Sequence, residues 1–261
     1  MKNMFKMSAV LLVIICGVLA CSSDESSILS SSNEGGDTGV IVNGGDADIS
    51  VLSSYFSTAN TTFVIYDDNI VITTTSEPDH KSAYYPTNHA LYEAYMDASF
   101  VQNPNAIVEQ DITMTIPRYP VVASTHTATD LGSIGIAVNS VSIYNQYAGP
   151  NNQALTNEIA SFDQGSGHPQ AQGGYHYHLE SVWLTQQNGN EGLVGILLDG
   201  FPVYGTHENG VLMTNADLDV YHGHTSATAD FPNGIYHYHV TAEAPYINGD
   251  GYYGAAGILT N

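Results

Sequence analysis

The tetrapeptide Tyr-His-Tyr-His stands twice in this 261-residue chain, at Tyr175-His176-Tyr177-His178 and at Tyr236-His237-Tyr238-His239. Side chains of a strand alternate between faces, so an extended copy places both imidazoles on one side and both phenols on the other. Two imidazoles at i and i+2 can share one metal ion. Neutral imidazole suits zinc, copper, iron and nickel, and a third histidine would complete a three-nitrogen centre with a position left for water. Water held there loses its proton near neutral pH, which is the basis of metal-assisted hydrolysis.

Each tetrapeptide is preceded by a Gly-His. Gly167-His168-Pro169 leads to the first copy and Gly223-His224-Thr225 to the second, with Gly-X directly before each tetrapeptide. Seven of the eleven histidines fall in these segments: His168, His176, His178, His222, His224, His237 and His239. All seven are candidate ligands. The echo reads as two similar half-sites, and the two strand pairs are expected to converge on a single shared site with His168 or His224 nearby. His80 lies in a polar loop able to reach that site, whereas His89 sits at a possible helix start as a structural or exposed residue, and His126 and His207 sit in loop-like contexts.

Other chemistry is open to the same residues. Tyr175 and Tyr236 are candidate acid–base groups working with histidine and without metal. Asp199, in Leu198-Asp199-Gly200 between the two copies, could orient or ligate an imidazole, or only cap a turn. Alternatively, the histidines form a buried network bonded to backbone and tyrosine hydroxyls. The nucleophile elbow, the P-loop, the dinucleotide-binding glycine pattern and the His-Glu-X-X-His motif are all missing.

The elements that must position these residues read as strands. Phe63–Tyr66 and Ile70–Ile72 flank Asp67-Asp68-Asn69 as a hairpin, and Ile112–Ile116 alternates strictly before Pro117. Ile134–Ile143 alternates around Asn139-Ser140. Val182–Leu184 is a short apolar run, and Leu193–Leu198 is continuous enough for a central strand. Short helices are expected at most in Ala90–Phe100, Gln153–Phe162 and Ala216–Tyr221. With 25 glycines and 18 tyrosines, the expected fold is all-β: one mostly antiparallel, β-sandwich-like domain with a few short helices.

Residues 1–20 read as a lipoprotein signal peptide. Lys2 and Lys6 precede the apolar Met7–Leu19, and Val18-Leu19-Ala20-Cys21 matches a lipobox whose Cys21 would carry lipid. Ser22-Ser23-Asp24-Glu25 resembles a surface-export signal of Bacteroidetes lipoproteins. Residues 21–55 are expected to be a disordered tether and 56–261 the folded domain. Such a chain is anchored in the cell envelope, as an outer-membrane lipoprotein facing the surface or the periplasm, with the membrane touched only through lipid. Cys16 and Cys21 are its only cysteines, so the mature domain has neither disulfide nor thiolate ligand.

Beyond the signal, Lys81 and Arg118 stand against 26 acids, a formal charge of −24. That balance excludes nucleic acid and polyanions bound through a basic cleft. It fits a salty habitat, or carboxylates gathered around calcium. The cofactor expected from ligand type is copper or zinc, with calcium secondary. A metal ion and an extracellular polymer are the remaining partner classes, and the oligomeric state is open.

The run from His168-Pro169-Gln170 through both tetrapeptides resembles the YHYH-domain family. It includes Leu198-Asp199-Gly200-Phe201-Pro202-Val203-Tyr204-Gly205, Asp217-Leu218-Asp219, His222-Gly223-His224, Val240-Thr241 and Pro245-Tyr246. Pro78-Asp79-His80, Ile116-Pro117 and Gly135–Asn139 add to it, and the resemblance covers about Thr61 to Gly254. It implies a secreted or surface location and a role for the histidines, without naming a reaction. Many members carry cysteines near Gln164, Tyr221 and Gly251-Tyr252, where this chain has none. If those form disulfides, they are staples this chain does without, and the histidines are the shared chemistry.

Overall fold

The computed structural model describes residues 44–261. The signal segment, Cys21 and the first part of the tether lie outside the described residues. The rest is all-β. Fourteen strands are described: β1 (Thr61–Ile65), β2 (Asn69–Thr74), β3 (Ile112–Pro117), β4 (Ser133–Ala137), β5 (Ser142–Tyr144), β6 (Gly167–Pro169), β7 (Tyr175–Tyr177), β8 (Leu193–Leu197), β9 (Pro202–Tyr204), β10 (His207–Glu208), β11 (Val211–Leu212), β12 (Gly223–Ser226), β13 (Ile235–His239) and β14 (Ile258–Thr260). One α-helix, α1 (Val182–Asn188), and three short 3-10 helices complete the description.

The hairpin expected around Asp67–Asn69 is present, with Ile65 opposite Ile70. It belongs to a four-stranded antiparallel sheet in the order β1-β2-β3-β14. β2 alternates half-buried and buried residues, so Ile70, Ile72 and Thr74 face inward. There they meet the eight-stranded sheet, β12-β13-β9-β8-β4-β5-β7-β6. Ile72, Met114 and Ile116 from one sheet share a core with Ile136, Ile143 and Leu197 from the other. β8 is central and buried along its whole length, as its unbroken apolar run requires.

Three expectations need correction. Val182–Leu184 is not a strand; it opens α1, where the Ser181 side chain accepts from the Leu184 N–H as an N-cap. Ala90–Phe100 and Ala216–Tyr221 form turns and bends, and Gln153–Phe162 holds only two 3-10 turns. The tether is also shorter than residue 55. Ile49–Tyr55 is a 3-10 helix with Ile49 and Leu52 fully buried. Asp48 caps it and is gripped by Arg118 through two bonds of 2.6 and 2.9 Å, a bidentate pairing that composition does not disclose.

The large sheet is built twice from one unit. β4, β5, β7 and β6 run outward from the centre on one side, and β8, β9, β13 and β12 do the same on the other. Each half pairs its first two strands antiparallel, with a register shift at Ser133/Gly135 and at Leu193/Gly195. Each then pairs its second strand in parallel with the tetrapeptide strand. The halves join where β4 and β8 run antiparallel about Ile136 and Ile196. A Cβ on Gly135 would stand 2.7 Å from the Ile196 carbonyl oxygen, and one on Gly195 would stand 2.4 Å from that of Ile136. Glycine at both positions lets the halves meet.

Candidate metal centres

The histidines of each tetrapeptide face one side of their strand and the tyrosines the other. In the first half, His168 on β6 lies opposite His176 on β7, and His178 follows two residues on. Their ring nitrogens converge, with Nε2–Nε2 distances of 3.1 Å for His168–His176 and 3.0 Å for His176–His178. In the second half, His224 on β12 lies opposite His237 on β13. The Nε2 atoms of His237 and His239 are 3.1 Å apart, and Glu208 from β10 joins the group. Every ligand atom within each group lies within 4.8 Å of the others.

The second nitrogen of each ring decides what these clusters can do. His176 Nδ1 sits 3.0 Å from the Gly174 carbonyl and His178 Nδ1 2.6 Å from that of Asn145. His237 and His239 make the same contacts with Ile235 and Gly205, at 3.0 and 2.8 Å. A carbonyl oxygen only accepts, so each Nδ1 carries the proton and each Nε2 presents a bare lone pair. His168 Nδ1 meets the Ser161 hydroxyl at 2.7 Å. That hydroxyl donates to the Glu158 carbonyl, so it too accepts from the ring. His224 Nε2 is buried without a hydrogen-bond partner.

Lone pairs about 3 Å apart repel unless a cation lies between them. A proton does not serve, because burial holds His168 at about 3 and His178 and His237 at about 4, and pushes His176 and His239 down as well. Metal–nitrogen bonds of about 2.0–2.1 Å would subtend roughly 90–100° across such nitrogen pairs. The groups are therefore geometrically able to hold a metal, their carbonyl-bound Nδ1 atoms fixing the rings as outer partners of a metal site do. Among the described residues no group of three or more carboxylates alone converges.

The single shared site is overturned. β5, β4, β8 and β9 lie between the tetrapeptide strands, which at ~4.8 Å per strand sets the centres roughly 24 Å apart. The connection is parallel in each half, so the tetrapeptides end up on opposite sides of the joining line. A cavity of about 530 Å³ opens on His168, His176 and His178, and another of about 740 Å³ on His237 and His239.

His222 belongs to neither cluster. It occupies the left-handed region at φ 76°, as Ser166 does at φ 66° before the other Gly-His. Its Nε2 is held 2.9 Å from the Thr241 hydroxyl. His80 is buried behind the first centre, with Nδ1 on the Lys81 carbonyl and Nε2 2.9 Å from the Tyr177 hydroxyl.

The tyrosine face is a set of satisfied hydroxyls. Tyr175 donates to Asp163 at 2.6 Å and Tyr236 to Asp219 at 2.9 Å, and neither lines the two cavities. Asp199 does not reach an imidazole. It is fully buried and accepts from the Tyr238 hydroxyl, the Gly254 N–H and the Phe201 N–H. Burial lifts it to about 6. The last of its bonds is the turn cap that its sequence context allowed.

The tyrosines also explain the Gly-His signature. A Cβ on Gly167 would lie 2.6 Å from the Tyr175 ring, and one on Gly223 would lie 2.5 Å from the Tyr236 hydroxyl. Glycine lets the phenol cross the neighbouring strand and reach the aspartate four residues earlier. Asp163 and Asp219 bond alike: each accepts from the N–H two residues on, and each backbone N–H donates to the glycine carbonyl. The shared Asp-X-X-X-Gly-His spacing is the signal that could have found both carboxylates. Glu208 had no such signal, since only the β10–β11 hairpin carries it to the imidazoles.

The family model described as YHYH protein matches residues 113–211 and 207–251. No curated protein and no solved structure matches the chain.

Proposed function

The chain belongs to the YHYH family, and from that premise and its paired imidazole clusters we propose that it is an extracytoplasmic, lipid-anchored protein that binds a transition-metal ion in each half of its large sheet. Copper or zinc fits the nitrogen-rich donor set best. The observation that carries this reading is the set of Nδ1–H groups spent on oxygen acceptors, which leaves inward Nε2 lone pairs with no proton to share. Bound metal would supply Lewis acidity there, and the two cavities would give small molecules access to it. A metal-free Tyr/His enzyme gains no support from this arrangement, because the phenols are bonded to the buried Asp163 and the exposed Asp219 on the far side of the strands.

Metal analysis of tag-free protein tests the reading. Two equivalents of copper or zinc per chain are expected, as purified or after dialysis against Cu²⁺ or Zn²⁺. Absence of stoichiometric metal, with no uptake on addition, would leave a rigid-core or adhesion role in its place.

The anchor rests on the sequence alone. Val18-Leu19-Ala20-Cys21 supports lipidation, and Ser22-Ser23-Asp24-Glu25 supports placement at the surface. Labelled palmitate is expected to enter the wild-type chain and not Cys21→Ser. Equal labelling of both would remove the anchor from the proposal. The excess of acids over bases disfavours nucleic acid as a partner.

A further inference from the structure

The two centres differ in their carboxylates at first sight. Glu208 stands beside the second set of imidazoles, its Oε2 3.3 Å from His224 Nε2 and its Oε1 3.7 Å from His237 Nε2. Glu158 stands beside the first, its Oε2 3.6 Å from His168 Nε2 and 4.0 Å from His178 Nε2. All four separations are ones that two ligands of a common ion can take, given metal–ligand bonds of ~2.0–2.2 Å.

The pseudo-symmetry makes these glutamates counterparts. Each half runs through a hairpin, a connection, a Gly-His strand and a tetrapeptide strand. Glu158 lies in the connection between β5 and β6, and Glu208 in the one between β9 and β12. They are unrelated in local structure, one at the end of a 3-10 turn and the other on a two-residue strand. Different local structures thus bring a carboxylate to each set of imidazoles, with Glu208 within 4.8 Å of every ligand nitrogen of its set and Glu158 close to His168 and His178. Glu208 is also fastened by the Ser226 hydroxyl, which donates to its Oε1. Glu158 is held through its backbone, whose carbonyl accepts from Ser161 Oγ, the atom that also accepts from His168 Nδ1.

Charge gives the reason for a carboxylate in both halves. Three neutral imidazoles leave a divalent ion with its full charge in a largely buried site, and one carboxylate removes half of it. Arginine and lysine line neither cavity, so neither glutamate has a cationic side chain of the lining as a competing partner.

We propose that Glu158 is the fourth protein ligand of the first centre, so that the chain carries two equivalent centres of three imidazoles and one carboxylate. This rests on the metal reading above and adds a residue to it. The ion in each centre then keeps its remaining coordination positions toward the cavity, where an exogenous ligand can enter.

Co²⁺ titration of the full chain, followed by visible absorption, tests the proposal. The wild-type chain is expected to bind two equivalents with similar affinity and similar ligand-field bands. Glu158→Gln, at a half-exposed position that folding tolerates, is expected to weaken one equivalent by ~10–100-fold and change its bands while the other equivalent is unmoved. Glu208→Gln is expected to do the same to the opposite equivalent, and the double variant to both. If Glu158→Gln binds two equivalents with wild-type affinity and spectrum, Glu158 is not a ligand, although the imidazole centres stand. If the wild-type chain takes up no Co²⁺, the metal reading itself fails, and this proposal with it.

Discussion

Replacing His176 and His178 together by alanine is expected to halve the metal content, from two ions per chain to one. A shared site would predict complete loss. The structure separates the clusters by four strands, and direct coupling between sites that far apart through a rigid sheet is small. The lost equivalent should be that of the first half, because His168 and Glu158 by themselves cannot hold a divalent ion against water. The remaining ion should keep its spectrum, since His224, His237, His239 and Glu208 are untouched. The mirror variant, His237→Ala with His239→Ala, should leave the other ion, and the four-fold variant none. Circular dichroism should report a folded chain in each case, because the tyrosines and aspartates on the opposite face hold the strands. Loss of both ions from either double variant would restore a shared site. Loss of the fold would mean that the imidazoles are structural.

The metal-free chain is expected to lose stability steeply as the pH falls from about 6.5 to about 4. Burial holds His178, His222 and His237 at about 4 and His168 at about 3, whereas an unfolded imidazole takes its proton near 6.5. Between those values the unfolded chain binds more protons than the folded one, so acid favours unfolding. Each imidazole held at about 4 contributes about 3 kcal/mol to that loss, and the slope ends once the folded form protonates too. His176 and His239 are pushed down by the same burial and add to it. Buried Asp199, lifted to about 6, works the other way, because it takes up its proton before an unfolded carboxyl does. Asp163 and Glu158 are raised as well. Three such carboxyls do not offset six imidazoles, and the balance is comparable with the ~5–15 kcal/mol stability of a typical domain. Bound metal needs the neutral rings, so it should move the acid transition downward, by about 4 kcal/mol in stability at a thousand-fold excess over Kd. Thermal melts at half-unit pH steps, with and without Zn²⁺, measure both effects. A metal-free Tm that stays level from pH 7 to pH 4.5 would refute the linkage.

Much of this architecture was legible because strand periodicity is local. Ile112–Pro117 and Leu193–Leu197 announce themselves by alternation and by continuity, and the alternation within Tyr-His-Tyr-His fixes which side chains share a face. Val182–Leu184 misled because a three-residue apolar run has no period, and the cap at Ser181 outweighed β propensity. One further signal lay in plain view. Ser133–Asn145 and Leu193–Gly205 run in parallel at an offset of 60, sharing the Gly135/Gly195, Ile136/Ile196 and Tyr144/Tyr204 positions. Their ends, Asn145 and Gly205, supply the carbonyls that orient His178 and His239. Reading that repeat along with the tetrapeptides would have yielded two complete units in place of two half-sites.

What the sequence determined by itself is the donor set and its facing: imidazoles without thiolates, paired on strands, each pair with a Gly-His beside it. These follow from residue type and from the two-residue period of a strand, which need no knowledge of the rest of the chain. The tertiary structure alone decided how many imidazole clusters there are and which carboxylates stand beside them. Whether two strand pairs meet or part depends on sheet order, and that is set by the antiparallel seam at Ile136 and Ile196 and by the parallel crossover in each half. The same long-range packing brings Glu158 and Glu208 to the imidazoles from connections with no common local pattern, and holds His222 away in a turn. Proximity across a sheet arises from contacts between residues far apart in the chain, and a local pattern carries no record of them.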